Sequence, residues 1–422
     1  MPDAEEVLRM RFEPNLCYCN PAHGGWGIIR VAALIPGSYL LFVCPSACFR
    51  HGALGAIQHH YKNRLSYIYI DQEDIVDGYD QLIMDGAEEL LERTKEDIKL
   101  LFIYVSCLDD FIGTDLDKVA STLEARHPGI LFRGGHMNPI ASSTKMPPAV
   151  TTFDAMLSVL PVHDELDNGI TIWGNFVGIP DECELIRVLE KHGHPVRQIS
   201  SCRDFDEYGQ MSRSSLSLVF KPFANYALFR LEKRTHASHI AMPVSYDLDT
   251  IEEEYEDLAK ALGENILSDL IAERSRTEDV IAKAREEVGD MDVFVSDSAT
   301  VFPCSLACAL LKYGFNVTRV YLQEVVGPDQ VYAVKLQNDY PTVQLIQADH
   351  PDAVNRCEED TEALAVGEEA AYLSHAIHVA DISSDEGMFG YHGIRILMDA
   401  MAKAAREKAD IRMLIEQYGG IV

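Results

Sequence analysis

Ten cysteines are spread unevenly over the 422 residues: Cys17, Cys19, Cys44, Cys48 and Cys107 crowd the first quarter, while Cys183, Cys202, Cys304, Cys308 and Cys357 are scattered over the rest. In a long chain outside an oxidising compartment such crowding favours metal ligation over a disulfide framework. Three of the early thiols fall in loops beside expected strand ends. Cys19 precedes Asn20-Pro21 and a glycine-rich turn, Cys48 closes the turn Cys44-Pro-Ser-Ala-Cys48, and Cys107 follows the apolar run Leu100-Leu-Phe-Ile-Tyr-Val105. Thiolates gathered in this way can hold an iron–sulfur cluster, which takes four ligands. The fourth is left open between Cys44, a carboxylate and a donor from a partner subunit. The competing reading is a set of ordinary buried cysteines. The C-x3-C spacing does not suit a zinc ribbon, and no C-x2-C pair occurs.

Absent motifs narrow the chemistry further. The chain has no Gly-Lys dipeptide, and hence no phosphate loop; it also lacks a G-x-G-x-x-G fingerprint, a His-Glu-x-x-His pair and a Gly-x-Ser-x-Gly elbow. The net charge of −31, from 36 Lys and Arg against 67 Asp and Glu, repels nucleic acid and anionic membrane, so neither is expected as a partner. No apolar run reaches membrane-spanning length, and residues 1–14 are acidic with no signal-peptide core, which points to the cytoplasm.

The elements that must position these thiols read as alternating strands and helices. Residues 40–43 and 100–105 are unbroken apolar runs, the pattern of parallel strands buried on both faces. In such sheets ligands bind beyond the carboxyl ends of the strands, where Cys48 and Cys107 fall. Helices are expected over 84–93 and 115–127. A strand over 130–132 opens into Arg133-Gly-Gly-His136, which places His136 at the same end as a cofactor-contact candidate. The Ser-, Thr- and Pro-rich stretch 141–156 is expected to leave the first domain. A second unit follows, with a strand over 170–173, a helix over 182–192 and Cys202 after a strand over 196–200. A charged helical tract over 250–288 breaks near Gly263. The third unit has strands over 291–296, 317–322, 343–347 and 377–380, with Cys304 and Cys308 packing on one face of a helix over 303–313. His59-His60 reads as exposed helix surface. The layout predicts an α/β chain of three Rossmann-like, doubly wound parallel-sheet domains around a central cleft, spanning 1–160, 161–289 and 290–422.

Several motifs carry a resemblance. The first domain resembles a subunit of the nitrogenase component 1 family, which includes nitrogenase, its cofactor-assembly scaffolds and nitrogenase-like reductases. Cys19-Asn-Pro21 matches the family's first ligand loop. Cys44-Pro-Ser-Ala-Cys48 matches the second, with Ala47 in place of glycine, and Asp74-Ile-Val-Asp-Gly78-Tyr matches an aspartate segment that follows it. Val105-Ser-Cys107, running into Leu-Asp-Asp-Phe-Ile-Gly-Thr-Asp115, matches the third, with Thr114 for the first aspartate of the family's Ile-Gly-Asp-Asp. Gly390-Tyr-His392-Gly resembles a motif that opens a C-terminal helix in α-type subunits, and Cys202 falls roughly where those subunits hold their catalytic cofactor. The histidine that those subunits carry shortly before that motif is missing from residues 381–389.

The resemblance implies an iron–sulfur cluster, [4Fe-4S] or larger, on Cys19, Cys48 and Cys107, with Cys44 as a further candidate, and a possible second metal–sulfur cofactor near Cys202 and His136. It implies electrons from a separate ATP-dependent iron protein, and a homologous component 1 subunit as partner in a homodimer or heterotetramer. The leading expectation is a redox subunit of a nitrogenase-like reductase. The alternatives are a non-catalytic scaffold for assembly of a metal–sulfur cofactor and a cluster-free α/β binding protein.

Overall fold

Thirteen strands form three sheets among the residues that the computed structural model describes, 16–18, 27–58, 60–137, 146–325, 327–355 and 359–417. The expected ligand Cys19, together with His59, lies outside them. The first sheet has β1 (Ser38–Cys44), β2 (Leu65–Tyr69), β3 (Leu100–Ser106) and β4 (Leu131–Met137), in the order β2-β1-β3-β4. The second has β5 (Asp167–Trp173), β6 (Val196–Gln198), β7 (Ser214–Val219) and β8 (Ser238–Ala241), in the order β6-β5-β7-β8. The third runs β11-β10-β9-β12-β13, from β9 (Asp292–Ser296), β10 (Asn316–Leu322), β11 (Gln344–Gln347), β12 (Thr361–Val366) and β13 (Ala376–Ala380). All the pairings are parallel, as expected of Rossmann-like sheets. In each sheet the direction of winding reverses once: between β1 and β3, between β5 and β7, and between β9 and β12.

Two compact units emerge: Gly25–Gly178 with His194–Pro243, carrying the first two sheets, and Met1–Gly24 with Ile179–Gly193 and Val244–Val422, carrying the third. In the former, β1 and β3 are buried at every position, as their unbroken apolar runs require. One face (Leu40, Phe42, Cys44, Phe102, Tyr104) joins a core shared with Trp173 and Val219 of the second sheet. The other face (Leu41, Val43, Ile103, Val105) packs on helices Asp80–Arg93 and Leu116–Arg126.

Three local expectations need correction. The segment after β1 is not an open turn: helix Ser46–Gln58 starts directly after Pro45, so Cys48 lies in its first turn. Strand β4 does not stop at Phe132 but runs through Gly134 and Gly135 to Met137, because glycine admits close neighbours there. A Cβ at Gly134 would lie 2.6 Å from Leu116 Cβ, and one at Gly135 would lie 2.6 Å from Tyr104 Cε1. Residues 148–158 form the helix Pro148–Ser158, with Phe153 and Met156 buried in the core that the first two sheets share, so this stretch is part of that core and does not lead away from it. The break near Gly263 is found as expected: helices Leu248–Leu262 and Ile271–Val288 flank it, and Gly263 caps the first at φ +68°.

The third sheet packs through small side chains. Ala363, Ala365, Ala370, Ala371 and Ala376 lie against Phe294 and Tyr321, bringing helix Glu368–Ser374 close to the strands. That close approach takes Glu368 to 5% exposure, with Oε2 lacking a hydrogen-bond partner. Burial, with Asp381 and Asp297 adding to it, pushes the Glu368 carboxyl up to about 7.

Two outcomes follow for folding stability. Gly134→Ala should lower stability by about 1–3 kcal/mol in urea titration, since Leu116 Cβ cannot swing aside; an unchanged midpoint would contradict the close approach. For Glu368, a folded-state pKa above the unfolded value means a contribution that is full at low pH and lost as pH rises through about 7. Glu368→Gln should therefore be more stable than the parent at pH 8, by up to about 3 kcal/mol, and should remove that part of the pH dependence. Equal stability of the two proteins at pH 8 would contradict it.

Candidate cluster site

The winding reverses between β1 and β3, and it is beyond the carboxyl ends of the strands at such a reversal that open α/β sheets bind ligands. Cys44 is the last residue of β1, Cys48 follows in the first turn of the next helix, and Cys107 comes directly after β3. Cys44 is fully buried, whereas Cys48 and Cys107 are half-buried, and all three are free thiols. They are near neighbours: burial first, then the Cys48 sulfur, raises the Cys44 thiol to about 12, and burial, then the Cys107 sulfur, raises that of Cys48. The hydroxyl of Ser106, immediately before Cys107, is buried and has no hydrogen-bond partner.

The two faces of the sheet divide the remaining candidates. Cys44 and Cys48 belong to the face shared with the second sheet, and so does Cys202. Cys202 follows the edge strand β6 through a turn at Ile199–Ser201; it is half-buried, its Sγ lies 3.6 Å from Gln198 O, and burial raises its thiol to about 11. His136 pairs with Val105 across β3 and β4 and has the parity of Phe132, which packs on the opposite face. Its Nδ1 is 3.6 Å from Oδ2 of the buried Asp109. His136 and the thiols of Cys44 and Cys48 thus approach the strand ends from opposite faces.

Asp109 and Tyr79 are site residues that sequence reasoning missed. Tyr79 is fully buried and its hydroxyl donates to Asp109 Oδ1 at 2.6 Å, tying the segment after the Asp71-capped helix Gln72–Asp77 to the segment after Cys107. The Thr114 amide also reaches Asp109 Oδ1, at 3.4 Å. The signal available was the doublet Asp109-Asp110 itself, one member of which had to face inward at the start of a helix.

The soft donors fit an iron–sulfur group, and the orphaned Ser106 hydroxyl could donate to a sulfur there. Among the described residues, however, no three His, Cys, Asp or Glu side chains are arranged to hold a metal ion. A complete ligand set therefore calls on Cys19, or on a donor from another chain.

In the other unit, the Gly390-Tyr-His392-Gly motif opens helix Gly390–Ala404, as expected of it. The first amides of that helix point at the buried carboxyl of Glu184, which burial pushes up from its ordinary range. Tyr391 N donates to Glu184 Oε1 at 2.6 Å and His392 N to Oε2 at 2.9 Å; the Tyr255 hydroxyl donates to Oε1 at 2.8 Å, and Arg395 pairs with Oε2 at 3.5 Å. Gly390 adopts φ +55°, and a Cβ there would collide with Glu184 and Tyr255. Its glycine is thus required by a buried carboxylate some 200 residues earlier in the chain. Burial, then Arg395, lowers the His392 imidazole below its ordinary range.

The family model for nitrogenase component 1 type oxidoreductases matches residues 24–406. Among solved structures, "Nitrogenase Cp1 at pH 6.5" superposes with a TM-score of 0.72 at 16% identity, covering 94% of this chain and 96% of that one. "Nitrogenase Cp1 at pH 5" gives 0.63 at 16% identity, covering 94% and 90%. At such identity these likenesses speak for the fold. No curated protein matches. Three parallel sheets with thiols at the first winding reversal, and a family match over most of the chain, lead to one conclusion: this chain belongs to the nitrogenase component 1 type oxidoreductase family.

Proposed function

We propose that this chain is the iron–sulfur redox subunit of a nitrogenase-like reductase complex. In this reading Cys48 and Cys107, with Cys19 and Cys44, hold a cluster at the carboxyl ends of β1 and β3. The observation that supports it is the placement of Cys44, Cys48 and Cys107 at the carboxyl ends of β1 and β3, where the winding of the first sheet reverses. When bound, an iron–sulfur cluster supplies one-electron transfer. The chain's own part is to keep water from the sulfurs with Phe42 and Tyr104, and to offer the Ser106 hydroxyl as a hydrogen-bond donor. Cys202, on the same core face as Cys48, is a candidate contact for a second cofactor. His136, held toward Asp109 on the opposite face, is a candidate contact at the rim.

Electrons would come from a separate ATP-dependent iron protein, consistent with the lack of a phosphate loop here. A homologous subunit would complete the assembly. Val76 and Phe111 support that partner: they lie just beyond β2 and β3 and are 84% and 90% exposed, a poor arrangement for apolar side chains in water. Domain boundaries near residues 160 and 289 belong to the same proposal.

Cys107→Ala should abolish most of the iron bound after anaerobic reconstitution, while Cys304→Ala, which alters a buried packing thiol on the helix Pro303–Lys312, should retain it. Equal iron content in the two variants would overturn the ligand assignment. The missing histidine in residues 381–389 favours the scaffold reading as a second possibility. The two separate on turnover. A reductase subunit, assembled with its iron protein and partner, consumes electrons in an ATP-dependent and substrate-dependent way, whereas a scaffold passes on its metal–sulfur cargo and turns nothing over.

A further inference from the structure

The helices Leu248–Leu262 and Ile271–Val288, on either side of Gly263, both pack against the helix that begins at Gly390, and a cavity of about 430 Å³ lies among them. That is the size of a small-molecule pocket. It lies away from the ends of every strand, and none of its residues has a role in the cluster reading. The inner wall is made by Tyr255 and Tyr391, both buried, with ring centres 5.7 Å apart. Glu184 fixes both tyrosines, accepting from the Tyr255 hydroxyl at 2.8 Å and from Tyr391 N at 2.6 Å. Leu267, Leu270 and Ile271 complete the apolar lining, and Ile271 is left 72% exposed at the mouth.

The charged lining is Glu252, Glu256 and Arg274. The guanidinium is already committed. Its Nη1 donates to Glu252 Oε2 at 2.7 Å and to Leu248 O at 3.1 Å, its Nη2 donates to Asp249 Oδ1 at 2.6 Å, and its Nε lies 3.3 Å from Glu278 Oε1. Three carboxylates therefore surround one cation, and the balance is negative. Glu256 adds to it: it sits one turn after Glu252 on the same helix face and is exposed, and its carboxylate makes no hydrogen bond or ion pair among the described residues. Lys260, one turn further on, is paired with Asp257 at 2.9 Å instead. An anion entering this cavity would have to displace a carboxylate from Arg274. A bare metal ion would find apolar walls where it needs oxygen ligands. A cation with an apolar body meets neither obstacle.

We infer that this cavity is a binding site for a small organic ammonium ion, its N–H groups donating to Glu256 and to Oε1 of Glu252 and its apolar body lying against Leu267, Leu270 and the two tyrosines. The carboxylates at the mouth select the charge and the inner wall selects the hydrocarbon. Because Tyr255 and Tyr391 are both held by Glu184, the apolar wall is formed before a ligand arrives and costs no ordering on binding. The site does not depend on the cluster, so loss of iron binding would leave it standing.

The test is calorimetric titration of the full-length protein with tryptamine and with indole-3-propionate, an anion of similar shape. Tryptamine should bind, more weakly as salt rises, and indole-3-propionate should not. Glu256→Gln should weaken tryptamine binding roughly threefold to tenfold. Ser268→Trp, which fills the cavity from an exposed position in its lining, should abolish it. Both changes fall on exposed residues, so the fold is kept. A chain of net charge −31 attracts cations in general, and Glu92→Gln, at an exposed acid on the helix Asp80–Arg93, is the control: it should bind tryptamine as the parent does. The proposal fails if tryptamine does not bind, if indole-3-propionate binds as tightly, if Glu256→Gln and Ser268→Trp both bind as the parent does, or if Glu92→Gln weakens binding as much as Glu256→Gln.

Discussion

Parallel strands can be joined only by crossovers that cover both faces of the sheet, and this chain is built from parallel strands in all three of its sheets. The faces are therefore taken up by packing. β1 and β3 are buried at every residue, and the alanine-rich third sheet leaves room for little else. Polar and redox chemistry is pushed to the strand ends, and above all to the three places where the winding reverses. Each of these carries a distinct set of groups. The first has thiols, the second has the buried polar side chains of Asn175 and Lys221, and the third has the acidic group of Asp297, Glu368 and Asp381.

The cost of such sites is visible in the burial of polar groups that have no ordinary solvation. Where the chain supplies the counter-group itself, the result is a fully partnered carboxyl: Glu184 takes two helix amides, a tyrosine hydroxyl and an arginine. Where it does not, atoms such as Ser106 Oγ and both ends of the Asn175 amide stay orphaned. A partnered buried carboxyl explains a motif, as Glu184 explains Gly390.

Much of the fold was legible because it rests on local pattern. The run Leu100-Leu-Phe-Ile-Tyr-Val105 has the composition of a doubly buried strand, and β1, β9 and β10 announce themselves in the same way. The break at Gly263 was equally readable, since a glycine between two charged helical tracts can cap the first. What escaped depends on tertiary partners. β4 runs through two glycines because Leu116 and Tyr104 need the space, and no periodicity reports that. β12 was missed because its alanines carry little strand signal until Phe294 and Tyr321 are seen against them. At the site, the apolar runs before Cys44 and Cys107 were enough to expect both thiols at strand ends, where they lie. Tyr79 reaching Asp109, and Gly174 pressed against the Lys221 backbone, are contacts between segments that only folding brings together.

The most direct test of the central claim is anaerobic purification of the chain, chemical analysis of iron and acid-labile sulfide, and electron paramagnetic resonance before and after reduction. The account predicts a coloured protein with iron and sulfide in comparable amounts and a cluster signal that changes on reduction. A colourless chain that stays free of iron after reconstitution, alone and with its partner subunit, would contradict it.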